Sequence, residues 1–185
     1  MGYNTHHRKT EDDIGKENMA RKAKNDTEER VLDTPASEES RQTPVNLNGE
    51  FRFKIDDRGR VSLPSKFRQV LSKSLTVTRN PKDECLYVFE APEFERWIIR
   101  VFEEKFGGYH DSDKMHVKLR RKLKARARDV EIDGSGRIVL TAELREAVGI
   151  NKEVVLVGNT GYFEVWDAKR YDELDAEVDL SLLFG

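Results

Sequence analysis

The sequence predicts an α+β fold in which one small unit is used twice, with short flanking helices and a disordered N-terminal extension. Three observations carry this reading. From about Leu47 onward, apolar residues alternate in short runs, the period of half-buried strands, and recur at helical spacing between those runs. Sliding the chain by 77 residues lays Ile55–Leu63 on Ile132–Leu140 with Ile, Asp, Gly, Arg and Leu identical, and at the same offset Val88-Phe89-Glu90-Ala91 falls on Val165-Trp166-Asp167-Ala168. Two matches at a common spacing mark an internal duplication. Residues 1–46, in contrast, show neither period and hold 10 apolar residues with no Phe or Trp. Such a stretch cannot offset an ordering cost of about 1–2 kcal/mol per residue. The expected order is an extension over 1–46, a first repeat over 49–97, connecting helices with a basic segment over 98–128, a second repeat over 129–172 and a tail over 173–185.

Each element has its own signal. Phe51, Phe53 and Ile55 alternate with Arg52, Lys54 and Asp56, which is a strand. Asp57-Arg58-Gly59 reads as a turn, and Val61 and Leu63 restart the alternation, so the two strands are expected to form a hairpin. Pro64 suits a first helical turn, with Phe67, Val70 and Leu71 as an apolar stripe. Strands are expected at Leu75–Thr78 and Leu86–Phe89, around a turn at Asn80–Asp83. A longer helix starts near Pro92, with Phe94, Trp97, Ile98, Val101 and Phe102 on one face. Residues 114–128 then carry eight Lys and Arg and no acid, and Met115, Leu119 and Leu123 recur every four positions, giving a helix with a narrow apolar stripe and a basic exterior. Because the preceding helix carries Glu93, Glu95, Glu103 and Glu104, that basic segment is read either as a binding surface or as the balance to its neighbour.

Charge and composition exclude several functions. The chain has 185 residues, 33 Lys+Arg, 35 Asp+Glu and a net charge of −2. Removing the extension leaves 25 bases against 25 acids in residues 47–185, so bulk charge does not attract a polyanion, and any nucleic-acid contact rests on a local patch. One cysteine, Cys85, excludes a disulfide framework and a Cys-built zinc site, and its neighbours Leu86, Val88 and Phe89 mark it as a core residue. His6, His7, His110 and His116 lie outside the repeated motif, so neither a metal site nor a nucleophile–base pair can be assembled, and the chain reads as a non-enzyme without cofactor or small-molecule substrate. Glu131–Gly136 has the opening of a calcium loop, but position twelve is Ala142, which cannot supply the bidentate acid. No apolar run approaches the ~18 residues of a membrane span, and the N-terminus lacks the apolar core of a secretory signal, so a cytoplasmic protein is expected.

The duplicated motif is the candidate site. Both copies read Asp-x-x-Gly-Arg: Asp56, Gly59 and Arg60, then Asp133, Gly136 and Arg137. Gly at the last turn position suits a type I turn closed by a left-handed residue, and the Asp can accept hydrogen bonds from turn N–H groups. Asp56, Gly59, Asp133 and Gly136 are therefore read as turn-supporting. The Arg that follows is expected at the shoulder with its guanidinium projecting, suited to phosphate or to bidentate contact with guanine. A cross-turn Asp–Arg pair that only stabilises the loop, worth about 0–1 kcal/mol when exposed, is the competing role.

The string Gly49–Arg68, together with Glu131–Leu140 through Leu144-Arg145, Glu153–Gly158 and Phe163–Asp167, resembles the MraZ family over about residues 47–175, with both repeats in order. The resemblance implies two SpoVT–AbrB-type swapped-hairpin units joined in one pseudo-symmetric barrel. It implies a nucleoid-associated transcriptional regulator that binds double-stranded DNA at promoter repeats upstream of the bacterial division and cell-wall gene cluster, as a ring-shaped homo-oligomer. Residue by residue, Arg60 and Arg137 match the paired motif, and Arg58, Lys66 and Arg68 match positions where the first repeat is usually basic. With Arg52 these form the expected DNA-binding set. Ser135 stands opposite Arg58, so the second turn is the less basic one. The rival from another class is an AbrB-like interaction and assembly module without direct DNA readout, with Lys114–Arg128 as a docking helix.

Overall fold

The computed structural model describes residue 1 and residues 43–82 and 84–184. Most of the extension expected over 1–46 therefore lies outside the described residues. Its last positions, however, are engaged: Gly161 N–H donates to the Val45 carbonyl at 2.7 Å, and Asn46 bridges Thr160.

The described residues hold eight strands and five α-helices. Strands β1 (Glu50–Lys54) and β2 (Arg60–Ser62) precede helix α1 (Ser65–Val70). Strands β3 (Ser74–Arg79) and β4 (Leu86–Glu90) lead into α2 (Ala91–Phe106) and α3 (Lys114–Arg126). The second repeat supplies β5 (Arg128–Glu131), β6 (Arg137–Val139), α4 (Ala142–Ala147), β7 (Glu153–Gly158), β8 (Tyr162–Asp167) and α5 (Ala168–Asp175). A 3-10 turn over Leu180–Leu183 follows. The 77-residue offset holds for β2 and β6, for α1 and α4, and for the first residues of α2 and α5.

Pairing departs from expectation in two ways. The strands on either side of each turn do not form a hairpin ladder: β1 pairs with β7 and β5 with β3, whereas β2 pairs with β6. Each repeat thus lends its first strand to the other repeat's β-hairpin, and the two turn-following strands pair with each other. Nor do the strands among the described residues close a barrel. The large antiparallel sheet runs β1-β7-β8-β4-β3-β5, and β2-β6 is a separate ladder. β1 and β5 are the two edges of the large sheet and do not pair with each other; beyond each, the chain turns into the β2–β6 ladder, so the hydrogen-bonding of the turn-following strands goes to that ladder and not to closure.

One core serves both repeats. Val61, Leu63 and Phe67 from the first, and Ile138, Leu140 and Leu144 from the second, are buried in a single cluster with Leu86, Val88, Phe163 and Val165. Burying a side chain such as Val61 or Ile138 completely is worth about 1.5–3 kcal/mol, and both are 0% exposed. Strand alternation places Phe89 and Tyr87 on the opposite face of the sheet, where Phe94, Trp97, Ile98 and Phe102 of α2 cover them.

Helix stripes are narrower than their periodicity suggests. In α1 only Phe67 is buried; Leu71 is half-buried and Val70 exposed. In α3, Leu119 and Leu123 pack on the α2 cluster but Met115 is exposed. His116 takes the inward place instead, ringed by Phe102, Phe106 and Tyr109, and its Nδ1 accepts the His110 N–H at 3.2 Å. Asp113 caps α3 by accepting the Met115 and His116 amides. Lys124 pairs with Glu95 and Arg128 with Glu143, so part of the basic segment is offset by acids on α2 and α4.

Candidate nucleic-acid interface

The two turns are near-copies, bond for bond. In the first, the Gly59 amide donates to the Asp56 carbonyl at 2.9 Å and the Asp56 amide to the Arg60 carbonyl at 3.0 Å. Asp56 Oδ1 accepts the Arg58 and Arg60 amides, and Arg60 Nε donates to Asp56 Oδ2 at 2.7 Å. In the second, Gly136 and Asp133 repeat the backbone pair at 2.9 and 2.8 Å. Asp133 Oδ1 accepts the Ser135 and Arg137 amides, and Arg137 Nε reaches Asp133 Oδ2 at 2.9 Å. Both glycines are left-handed, with φ of 76° and 75°.

The electrostatics follow from these bonds. The Arg60 amide, and then its side chain, hold the Asp56 carboxyl below the usual carboxylate range. For Asp133 the Arg137 guanidinium has the larger effect and the Arg137 amide the next. Each carboxylate is occupied by two amides and one guanidinium, which leaves little of it for a metal ion. The expected projecting guanidinium is not found: Arg60 and Arg137 fold back onto their own turns, with side chains 27% and 29% exposed.

The β2–β6 ladder joins the turns. Its register sets Arg60 opposite Val139, Val61 opposite Ile138 and Ser62 opposite Arg137. Directly paired residues share a face and successive ones alternate. Val61 and Ile138 therefore point into the core, whereas Arg60, Ser62, Arg137 and Val139 form the outer face of a two-stranded ribbon. The two arginines sit diagonally on it, and Val139 is 45% exposed between them. The ladder is closed at each end by the other repeat: Leu63 N–H donates to the Gly136 carbonyl at 2.9 Å and Leu140 N–H to the Gly59 carbonyl at 2.8 Å.

The remaining expected residues divide. Arg58 at the first turn and Lys66 at the start of α1 are exposed, with no ion pair among the described residues. Arg68 reaches Ser65 Oγ at 3.3 Å and lies across Gly136, where an added Cβ would stand 2.3 Å from Arg68 Cδ. Arg52 is not gathered with the turns: it forms a two-pronged pair with Asp172 of α5, at 2.7 and 3.3 Å, and also binds Glu50. Three residues of this surface are absent from the expected set. Ser62 and Val139 belong to the ribbon's outer face only because two distant strands pair. Arg145, which the 77-residue offset places on Arg68, donates from Nε to the Leu140 carbonyl and lies beside Gly59.

Cys85 is wholly buried, and burial pushes its thiol up, away from the reactive range. What the arrangement offers is shape and donors. A two-stranded ribbon fits the major groove of B-DNA, and Arg, Ser and an apolar side chain on its face match guanine, a polar base edge and the thymine methyl respectively.

Known proteins point to one family. The family model described as "MraZ protein, putative antitoxin-like" matches residues 47–108 and 123–183, once for each half of the duplicated fold. The transcriptional regulator MraZ of Saccharopolyspora erythraea is 41% identical over 123 residues, covering 66% of this chain and 82% of that protein. Its namesake from an Acidovorax species is 36% identical over 134 residues, covering 70% and 88% respectively. The one from Variovorax paradoxus is 37% identical over 136 residues, covering 71% and 89%. With both repeats matched in order over the same residues that build the shared core and the ribbon, the chain belongs to the MraZ family.

Proposed function

We propose that this chain is a sequence-specific DNA-binding transcriptional regulator, acting as a repressor and reading DNA with the outer face of the β2–β6 ribbon. The observation that carries the reading is the β2–β6 register, which sets Arg60 and Arg137, one from each repeat, diagonally on the outer face of one ribbon. Arg58 at the first turn, Lys66 at the start of α1 and Arg68 across the second turn supply phosphate contacts, whereas Ser135 leaves the second turn's own sequence less basic. A near-neutral body with a few local bases neutralises few phosphates, so one copy binds weakly. A ring-shaped homo-oligomer on promoter repeats of the division and cell-wall gene cluster gains the rest through effective concentration. The names of the relatives support transcriptional regulation, and the exchange of first strands between repeats supports an AbrB-like swapped-hairpin unit. Nucleoid association follows from the same proposal. Among the described residues no helix is long and apolar enough to cross a membrane.

The test is affinity and its salt dependence on DNA from upstream of the chain's own operon. Arg60→Ala, checked for folding, is expected to weaken binding by about 1–3 kcal/mol, roughly five- to 150-fold. Arg58→Ala, which disturbs no ion pair, is expected to lower the salt slope by about one. Unchanged affinity and slope in both variants would remove the ribbon from the account.

The self-pairing of Arg60 and Arg137 with their own aspartates favours a second reading, an assembly module whose turns only stabilise the scaffold. Absence of any mobility shift at low salt, with assemblies intact, would favour that module.

A further inference from the structure

We propose that the C-terminal segment of one copy, from Val178 to Phe184, docks in the groove between α2 and α3 of a second copy. The proposal rests on the homo-oligomer named above and assigns the contact that would build it. Two surfaces on this chain are complementary, and neither includes a residue of the ribbon. The first is the tail. Val178, Leu180, Leu182, Leu183 and Phe184, five of seven successive residues with only Asp179 and Ser181 between them, are 64–86% exposed. Contiguous exposed apolar surface marks an interaction site. Leu180, Leu183 and Phe184 stand at i, i+3 and i+4, so a helical turn puts all three on one face. Its charged neighbours are acidic: Asp175 and Glu177 precede it and Asp179 lies within it, with no Lys or Arg after Arg170.

The second surface is the groove. It has a volume of about 430 Å³, and its floor is Trp97, Val101, Leu119 and Leu123, with Phe106 on one wall 43% exposed. Lys105, Lys122 and Arg126 rim it, and no acidic side chain lines it among the described residues. The exposed side of α3 continues the positive charge with Lys114, Lys118 and Arg121. An apolar trough with a basic rim is the bed for an apolar segment with acidic flanks, and an amphipathic turn laid in a hydrophobic groove is a recurrent mode of recognition.

Tail and groove are different patches, so the contact is head-to-tail. Contacts of this kind generate closed rings when the rotation between copies closes. The ribbon takes no part, so every copy in such an assembly keeps its DNA-reading face.

The test uses the whole 185-residue chain, with mass measured by light scattering after gel filtration. Leu182→Asp with Leu183→Asp is expected to reduce the assembly to a smaller species, and Lys105→Glu with Lys122→Glu to do the same. Combining the second pair with Asp175→Lys, Glu177→Lys and Asp179→Lys is expected to restore it. A photo-crosslinking residue at position 182, in a mixture of heavy- and light-isotope protein, is expected to join the groove of the other isotope. Unchanged mass in the tail variant, or crosslinks confined to one copy, would overturn the docking. DNA binding is scored separately. The tail variant should bind a single-repeat duplex as wild type does, but lose about 100-fold on DNA with several repeats as avidity disappears. Failure of the wild type to bind DNA would defeat the functional reading and leave the docking to be judged by mass alone.

Discussion

The turn aspartates tie residue chemistry to acid stability. Asp56 and Asp133 are held below the ordinary carboxylate value of about 4, so the folded turn prefers the charged form. A depressed pKa contributes stability that is fully present above the unfolded value and fades as pH falls through the folded one. The melting temperature of Asp56→Asn is therefore expected to lie below wild type at neutral pH, with the gap closing below about pH 4. A gap that stays constant into acid would assign the effect to something other than charge. The two turn glycines make a finer distinction. A Cβ at Gly59 would stand 2.6 Å from the Leu140 carbonyl, which is backbone, whereas at Gly136 it would meet the movable Arg68 side chain. Both carry the left-handed penalty of about 1–2 kcal/mol. Urea denaturation is expected to show Gly59→Ala costing more than Gly136→Ala, and Arg68→Ala to relieve part of the latter only.

At the scale of elements, the β2–β6 ladder fastens the repeats. Ile138→Ala is expected to cost about 2–5 kcal/mol, because the side chain is fully buried in a core built from both halves. Denaturation should remain a single transition, since neither repeat keeps a complete sheet of its own. A chain ending after residue 110 is expected to lack cooperative unfolding by circular dichroism, having lost the partners of both β1 and β2. Much of this was legible in the sequence. Alternation at Phe51–Ile55 and the Asp-x-x-Gly-Arg echo located the strands, turns and duplication, because those signals are local. Partner choice was not legible, since a short strand with one apolar face pairs with any edge of matching register, and only the assembled core selects β7 for β1. The same limit hid Ser62 and Val139, whereas the fold-back of Arg60 onto Asp56 is local and was the competing role the motif already offered. It also exchanged Met115 for His116, because an aromatic pocket on α2 decided which side chain of α3 turned inward.

Taken as a whole, the molecule places its charge by position. Twenty-five bases balance twenty-five acids beyond residue 46, yet bases gather at the first turn and along α3, and acids fill the C-terminal segment. Ionic strength is therefore expected to act twice, weakening ribbon–phosphate contacts and screening contact between tail and groove, so DNA binding should fall more steeply with salt for the assembled protein than for the Leu182→Asp, Leu183→Asp variant. A titration on multi-repeat DNA measures both slopes. The exchange of first strands has a further consequence, in time. Lys54 on β1 is paired with Glu153 on β7. At about 5–20 residues per second, a ribosome needs roughly 5–20 seconds to make the hundred or so residues between them. For that interval the first strand of every nascent chain has no permanent neighbour. Adjacent chains on one polysome carry the same vacant edge, so synthesis rate and chaperone access bear on whether each chain closes on itself.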